Sequence, residues 1–164
     1  MLVKDAKELG NISTGNTKMG TTTFAIDAFA CKTGSKLAKN PNTPCHSCYA
    51  RRLQKLRPTV DQGWKLNLSK WLQANPKAWA KAMAFQIERY NTDGFHRWFD
   101  SGDLQSLEML DAIVDVCLQT PQTKHWLPTQ ERGIVKEFKA NGGVVPDNLV
   151  IRVSASKLDG AMPN

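Results

Sequence analysis

Three of the four cysteines cluster between residues 31 and 48: Cys31, then Cys45 and Cys48 in the run Cys45-His46-Ser47-Cys48. Two thiolates two residues apart can grip one metal from a tight turn. Pro44 before the pair and a helical pattern after it help pre-form that turn. The segment from Cys31 is long enough to bring the third sulfur alongside. Three thiolates suit zinc or an iron–sulfur cluster. A thioredoxin-like redox pair is the rival reading of Cys-x-x-Cys, and a third cysteine at a strand end argues against it. Ordinary buried thiols are the plain alternative, and the polar Gly- and Pro-containing surroundings argue against that. His46 is wedged inside the pair and poorly placed as a fourth ligand, which leaves a position for an exogenous one. Cys117 follows Leu107, Leu110 and Val114 at helical spacing and reads as core.

A second group is Asp100-Ser101-Gly102-Asp103, two carboxylates around a glycine that permits close backbone approach. Its plainer reading is a helix cap, with Asp103 or Ser101 capping a helix that begins near Leu104. Thr129 and Glu131 read mainly as an N-cap and a first-turn acid. His96, Arg97, His125 and Arg152 fall inside strand patterns. On a sheet covered on both faces they need partners, and Asp100, Asp103 and Glu131 are the carboxylates available for buried ion pairs. Trp64, Trp71 and Trp79 read as core rather than as base-stacking platforms.

Charge adds a third signal. The chain carries 22 Lys+Arg against 15 Asp+Glu, net +7. Between Ala50 and Phe85 stand Arg51, Arg52, Lys55, Arg57, Lys65, Lys70, Lys77 and Lys81 against the lone acid Asp61, so this stretch holds the whole excess. Concentrated positive charge points to an anionic partner, nucleic acid above all, with Arg51, Arg52, Lys55 and Arg57 as the candidate contacts. A solvated helical surface is the alternative.

The elements that must position these groups follow from periodicity. Residues 1–20 read as mostly loop and 21–30 as a strand that delivers Cys31 at its carboxyl end. Residues 31–48 read as a long functional loop. Helices are predicted over 49–56 and 60–73. Another starts at Asn75-Pro76 and buries Trp79, Met83, Ile87 and Tyr90. Strands at 95–99, 124–128 and 149–156 alternate with helices at 104–119 and 131–140. That alternation implies parallel neighbours, and parallel folds bind ligands at the carboxyl ends of their strands. The predicted fold is therefore α/β: an incomplete parallel (β/α) barrel or an open parallel sheet with flanking helices and a helical insertion at 50–90. It forms a single domain over 1–164, comprising the cysteine loop 31–48, the basic helical segment 50–90 and the βαβαβ segment 95–156. At 41% hydrophobic and 23% charged, the chain can bury a core and is no disordered tail. No apolar run approaches a membrane span, and Asp5 and Glu8 fit no secretion signal, so a cytoplasmic protein is expected.

Taken together, CKTGSKL, PCHSCYA, RWFDSGDLQSLEMLDAIVDV, HWLPTQE and LVIRVSAS resemble the phage and plasmid gene product 88 family, from about Lys18 to Gly160. That family is in turn similar to a reduced radical S-adenosylmethionine enzyme. The resemblance implies a [4Fe–4S] cluster on Cys31, Cys45 and Cys48, zinc being the alternative. It also implies that Asp100, Ser101, Gly102 and Asp103 hold the methionine end of S-adenosylmethionine. The substrate would be a nucleic acid or a host macromolecule, in the cytoplasm of a host cell if the chain is phage-encoded. A non-enzymatic nucleic-acid binder or an inhibitor of a host defence complex, with a structural metal, is the other implied role. The cysteine spacing is longer than in those enzymes, Tyr49 follows the last cysteine instead of preceding it, and four strands fall short of their barrel. The resemblance also implies a further cysteine-rich stretch beyond Asn164, where a fourth ligand would make the centre structural.

Overall fold

The computed structural model describes residues 1–15 and 20–160. Lys18, where the resemblance begins, lies outside them.

Among the described residues, four short strands form one all-parallel sheet: β1 (Thr22–Phe24), β2 (Phe95–Trp98), β3 (Lys124–Thr129) and β4 (Leu149–Val153). Their order in the sheet is their order in the chain, and the sheet is open. Seven α-helices accompany it among the described residues: α1 (Val3–Leu9), α2 (Lys32–Leu37), α3 (Tyr49–Leu56), α4 (Pro58–Gln73), α5 (Pro76–Tyr90), α6 (Leu107–Gln119) and α7 (Arg132–Ala140).

Local chemistry accounts for most boundaries. Asn75 accepts from the backbone N–H groups of Lys77 and Ala78, and Pro76 occupies the first helical turn of α5, where its missing N–H costs nothing. Pro58 does the same for α4. Ser106 caps α6 by accepting from Met109 N. The cap is therefore neither Asp103 nor Ser101, and the helix starts three residues later than Leu104, because both of those side chains are engaged elsewhere. Three further expectations are corrected. Val3–Leu9 is helical, its Ala6 buried against α5. The first strand stops at Phe24, since Asp27 accepts from Phe29 N and starts a single 3₁₀ turn over Ala28–Ala30. The cysteine loop opens with α2, whose last turn passes into the Asn40–Thr43 bends.

The core lies between the sheet and the layer made by α1, α5, α6 and α7. Phe24, Trp71, Trp79 and Trp98 meet there edge to face, with successive ring centroids 5.0–5.8 Å apart. Trp71 and Trp79 are thus core, and Trp64 is half-buried. Cys117 is buried in the same core.

Burial alternates along the later strands. His96 and Trp98, His125 and Leu127, and Leu149 face the helices, while Phe95, Lys124, Trp126, Val150 and Arg152 face solvent. The sheet is covered on one face, not on both, because every crossover helix that packs in the core lies on the same side. The strand histidines accordingly find hydroxyl and indole partners instead of carboxylates. Thr22 Oγ1 lies 2.9 Å from His96 Nδ1, and Trp98 Nε1 donates to His125 Nδ1 at 3.2 Å. His125 Nε2 must then carry the ring proton, which it gives to Thr120 Oγ1 at 2.8 Å.

Candidate metal centre and ligand cavity

All four strands deliver side chains to a cavity of about 340 Å³ at their carboxyl ends. Past β1 come Ala28 and Cys31. Past β2 come Phe99, Asp100, Ser101, Gly102 and Asp103. From β3 come Pro128 and Thr129, with Gln130 just past its end, and beyond β4 comes Ser154. Cys45, Cys48 and Tyr49 close the opposite wall. The two groups singled out by residue type, the three thiols and the Asp100–Asp103 turn, therefore share one cavity. His46 does not line it: its Nδ1 donates to Ala38 O at 3.0 Å, and the ring sits in a neighbouring depression with Phe29, Arg51, Arg52 and Lys55.

Cys31 immediately precedes α2 and Cys48 immediately precedes α3. Gly34 lies between the sulfurs. A Cβ there would stand 3.1 Å from Cys31 Cβ and 3.6 Å from Cys45 Sγ, so a side chain at this position would crowd both. Burial pushes the Cys31 thiol up to about 12, with Asp103 and Cys48 adding to the effect, and it raises Cys45 as well. Among the described residues no three His, Cys, Asp or Glu side chains are set as a closed metal-binding group. The thiols share a cavity without forming a finished ligand set. Their donor chemistry and the open space at Gly34 do fit a thiolate-ligated centre.

The Asp100–Asp103 turn divides its labour. Ile26 N donates to Ser101 O at 3.1 Å, and Ser101 Oγ donates back to Ile26 O at 3.1 Å. Gly102, at φ +83, sits where a Cβ would come within 2.3 Å of Ile26 Cγ1. These two residues fasten the turn to the tail of β1. Asp103 reaches the other way, accepting from Thr129 Oγ1, from Gln130 N at 2.8 Å and from Leu104 N at 2.8 Å. Burial nevertheless raises its carboxyl to about 6. Asp100 accepts from Thr23 Oγ1 at 3.2 Å through one oxygen, and its other oxygen is buried without a partner. Burial raises this carboxyl too, against the pull of Thr23 and Arg97. Gln130 Oε1 is a second buried acceptor without a partner. Phe99 introduces the turn at φ 53, a left-handed conformation that is costly for a bulky residue.

Glu131 is not a first-turn acid of its own helix. It accepts from Thr33 N and Thr33 Oγ1, so it caps α2 from across the sheet. That role was hidden in the sequence, as was that of Gln54. Gln54 accepts from Ala28 N and donates to Asp27 and Asp61, which holds the basic helix against the turn before Cys31. Of the four cations predicted to bind nucleic acid, Arg51 turns inward to Ser35 and to Ala28 O and stacks over Phe29, whereas Arg52, Lys55 and Arg57 are exposed.

Compared with known protein families, residues 3–163 match gene product 88. The chain belongs to the gene product 88 family. This is the family its motifs resemble, and the match runs over almost the whole chain. No curated protein and no solved structure matches it. Among the described residues of this gene product 88 protein, no helix is long and apolar enough to cross a membrane.

Proposed function

We propose that this gene product 88 protein is a phage-type metalloprotein. Cys31, Cys45 and Cys48 hold a [4Fe–4S] cluster, with zinc as the alternative, and the adjoining cavity takes a small polar ligand. One observation carries this reading: the three thiols open onto the same cavity as two buried acceptors that lack donors, Asp100 Oδ1 and Gln130 Oε1. Buried acceptors are costly when unpaired, so a ligand rich in N–H donors is favoured there. The α-ammonium group of S-adenosylmethionine is such a donor, which supports radical S-adenosylmethionine-like chemistry on a nucleic acid or another host macromolecule. Cys31, Cys45 and Cys48 would hold such a cluster, which, once reduced by an external electron donor, would supply one electron to the ligand in the adjoining cavity. The chain's own part is to orient. Asp100 and Gln130 take the donors, Asp103 braces the turn against Thr129, and Gly34 leaves room for the sulfurs.

Reconstitution with iron and sulfide without oxygen tests the reading. It requires broad visible absorption, and a change in the reduced cluster's electron paramagnetic resonance on adding S-adenosylmethionine. A colourless protein with stoichiometric zinc would make the centre structural, and a protein that binds neither metal would sink the proposal.

The exposed cations Arg52 and Lys55 on α3, with Arg57 just past its end, favour a second reading, a non-enzymatic binder of nucleic acid or of a host protein, including an inhibitor of a host defence complex. Reversing these three to Glu would abolish such binding and leave the fold intact, since exposed charges add little stability.

A further inference from the structure

Parallel sheets are ordinarily covered on both faces. Here the face turned away from the helices is open, and beside Val150 and Pro128 its side chains are of two kinds. Phe95 and Trp126 are aromatic and 52% and 44% exposed. Lys124, Arg97 and Arg152 are cationic. The register orders them. Phe95 pairs with Lys124, Arg97 with Trp126 and Trp126 with Val150, and Pro128 with Arg152. Arg97 lies over the Trp126 ring at 4.8 Å and Lys124 over the Phe95 ring at 5.9 Å. At the carboxyl end the row reaches Tyr49, 58% exposed, which lines the thiol cavity together with Arg97.

We propose that this open sheet face binds single-stranded nucleic acid, with bases stacking on Phe95, Trp126 and Tyr49 and phosphates meeting Lys124, Arg97 and Arg152. Exposed aromatics on a sheet offer platforms to unstacked bases, which a duplex does not present. Phe95 and Trp126 stand two residues apart along the strands and one strand apart across them, roughly 8 Å. Each ring therefore serves its own base. Charge selects the class of partner. Among the described residues, the face carries three cations and no carboxylate between its rows. Asp93 and Asp147 lie at the amino ends, and Asp93 is bonded to Phe95 N. Asp100 lies at the carboxyl end. A second copy docked on this face would set three cations against three cations, whereas a polyanion neutralises them. Apart from Tyr49, the first residue of α3, the surface is separate from the exposed cations Arg52, Lys55 and Arg57, and the proposal does not depend on a metal at the thiols.

Fluorescence anisotropy with labelled single-stranded and duplex DNA and RNA of mixed sequence, at two salt concentrations, tests it. The full chain should bind single strands in preference to duplex. Trp126→Ala and Phe95→Ala should each weaken that binding on the order of tenfold, as removal of one stacked base does. Lys124→Glu with Arg152→Glu should flatten the dependence of log K on log salt by about 0.7 for each phosphate no longer neutralised. Circular dichroism and melting temperature confirm folded variants, since all four positions are exposed. Equal affinity for duplex, no binding at low salt, or full binding by the Phe95→Ala/Trp126→Ala double variant overturns the proposal. So does loss of binding only on reversal of Arg52, Lys55 and Arg57. A dimer that Trp126→Ala converts to monomer, with no oligonucleotide bound, would assign the face to self-association and overturn it as well.

Discussion

Glu131, just past the end of β3, accepts both the backbone N–H and the hydroxyl of Thr33, at 2.7 and 2.8 Å. Thr33 lies in the first turn of α2, two residues after Cys31, and its N–H has no partner within that helix. A carboxylate from 98 residues away in sequence thus holds the start of the cysteine segment against the sheet. Glu131 is buried, so its two charge-assisted bonds form away from water. Glu131→Ala is expected to cost about 1–3 kcal/mol, the range for losing hydrogen bonds to a buried charged group. Thr33→Val, which keeps the N–H, should cost less. Urea denaturation of the two single variants and the double variant measures this, and full additivity would show that the pair is not coupled.

Single alanine variants of Cys31, Cys45 and Cys48 should each lower the iron or zinc retained after reconstitution, and to a similar degree, because a centre that loses one of three thiolates loses its chelate. Cys117→Ala should retain the metal and lose only packing, since that thiol is buried among Trp98 and the α6 core. Metal analysis per chain decides. Full metal in any one of the three variants would show that the thiols do not share a site.

Gly102→Ala should be among the most damaging single changes. The new Cβ would stand 2.3 Å from Ile26 Cγ1 and 3.0 Å from Ile26 O, and the residue would have to keep φ +83. Backbone cannot move aside as a flexible side chain can, so a loss of about 3 kcal/mol is expected from overpacking plus strain. Gly133→Ala is the control, because nothing lies within 4 Å of the corresponding Cβ. Denaturation midpoints compare the two.

Acid should act through the buried imidazoles. Burial lowers His125 to about 4 from its ordinary 6.5, and burial, with His125 beside it, holds His96 well below the ordinary imidazole range. The unfolded chain therefore binds more protons between pH 6.5 and 4. The stability that His125 contributes above pH 6.5 is lost as pH falls through that window. Asp103, raised to about 6, runs the other way, its buried charge being relieved on acidification. The difference between the wild type and His125→Gln isolates the imidazole, since Gln keeps one acceptor for Trp98 and one donor for Thr120. That difference should shrink by about 3 kcal/mol on going from about pH 7 to about pH 4. A difference constant with pH would show that His125 is not held neutral.

Much of this architecture was legible in the chain. Asn75-Pro76 marks a helix start whatever surrounds it, and the apolar spacing of Trp79, Met83 and Ile87 chooses the buried face of α5. The alternation of strand and helix after Phe95 implied a parallel sheet, and that topology brought Cys31 and Asp100–Asp103 to one end. These signals act within a few residues, where capping and 3.6-residue periodicity dominate.

What only the tertiary structure decided depends on partners far apart in sequence. Asp103 and Ser106 are both good caps by type. The N–H of Gln130 and the hydroxyl of Thr129 claim Asp103, so Ser106 caps α6. Phe95, Trp126 and Val150 have the composition of buried strand positions, yet they face solvent, because the crossover helices that bury the sheet all lie on its other side. Three cysteines in the sequence named a kind of chemistry. Whether a cavity stood beside them, and which carboxyl oxygen was left without a partner in it, followed from how four strand ends meet, a relation no local window contains.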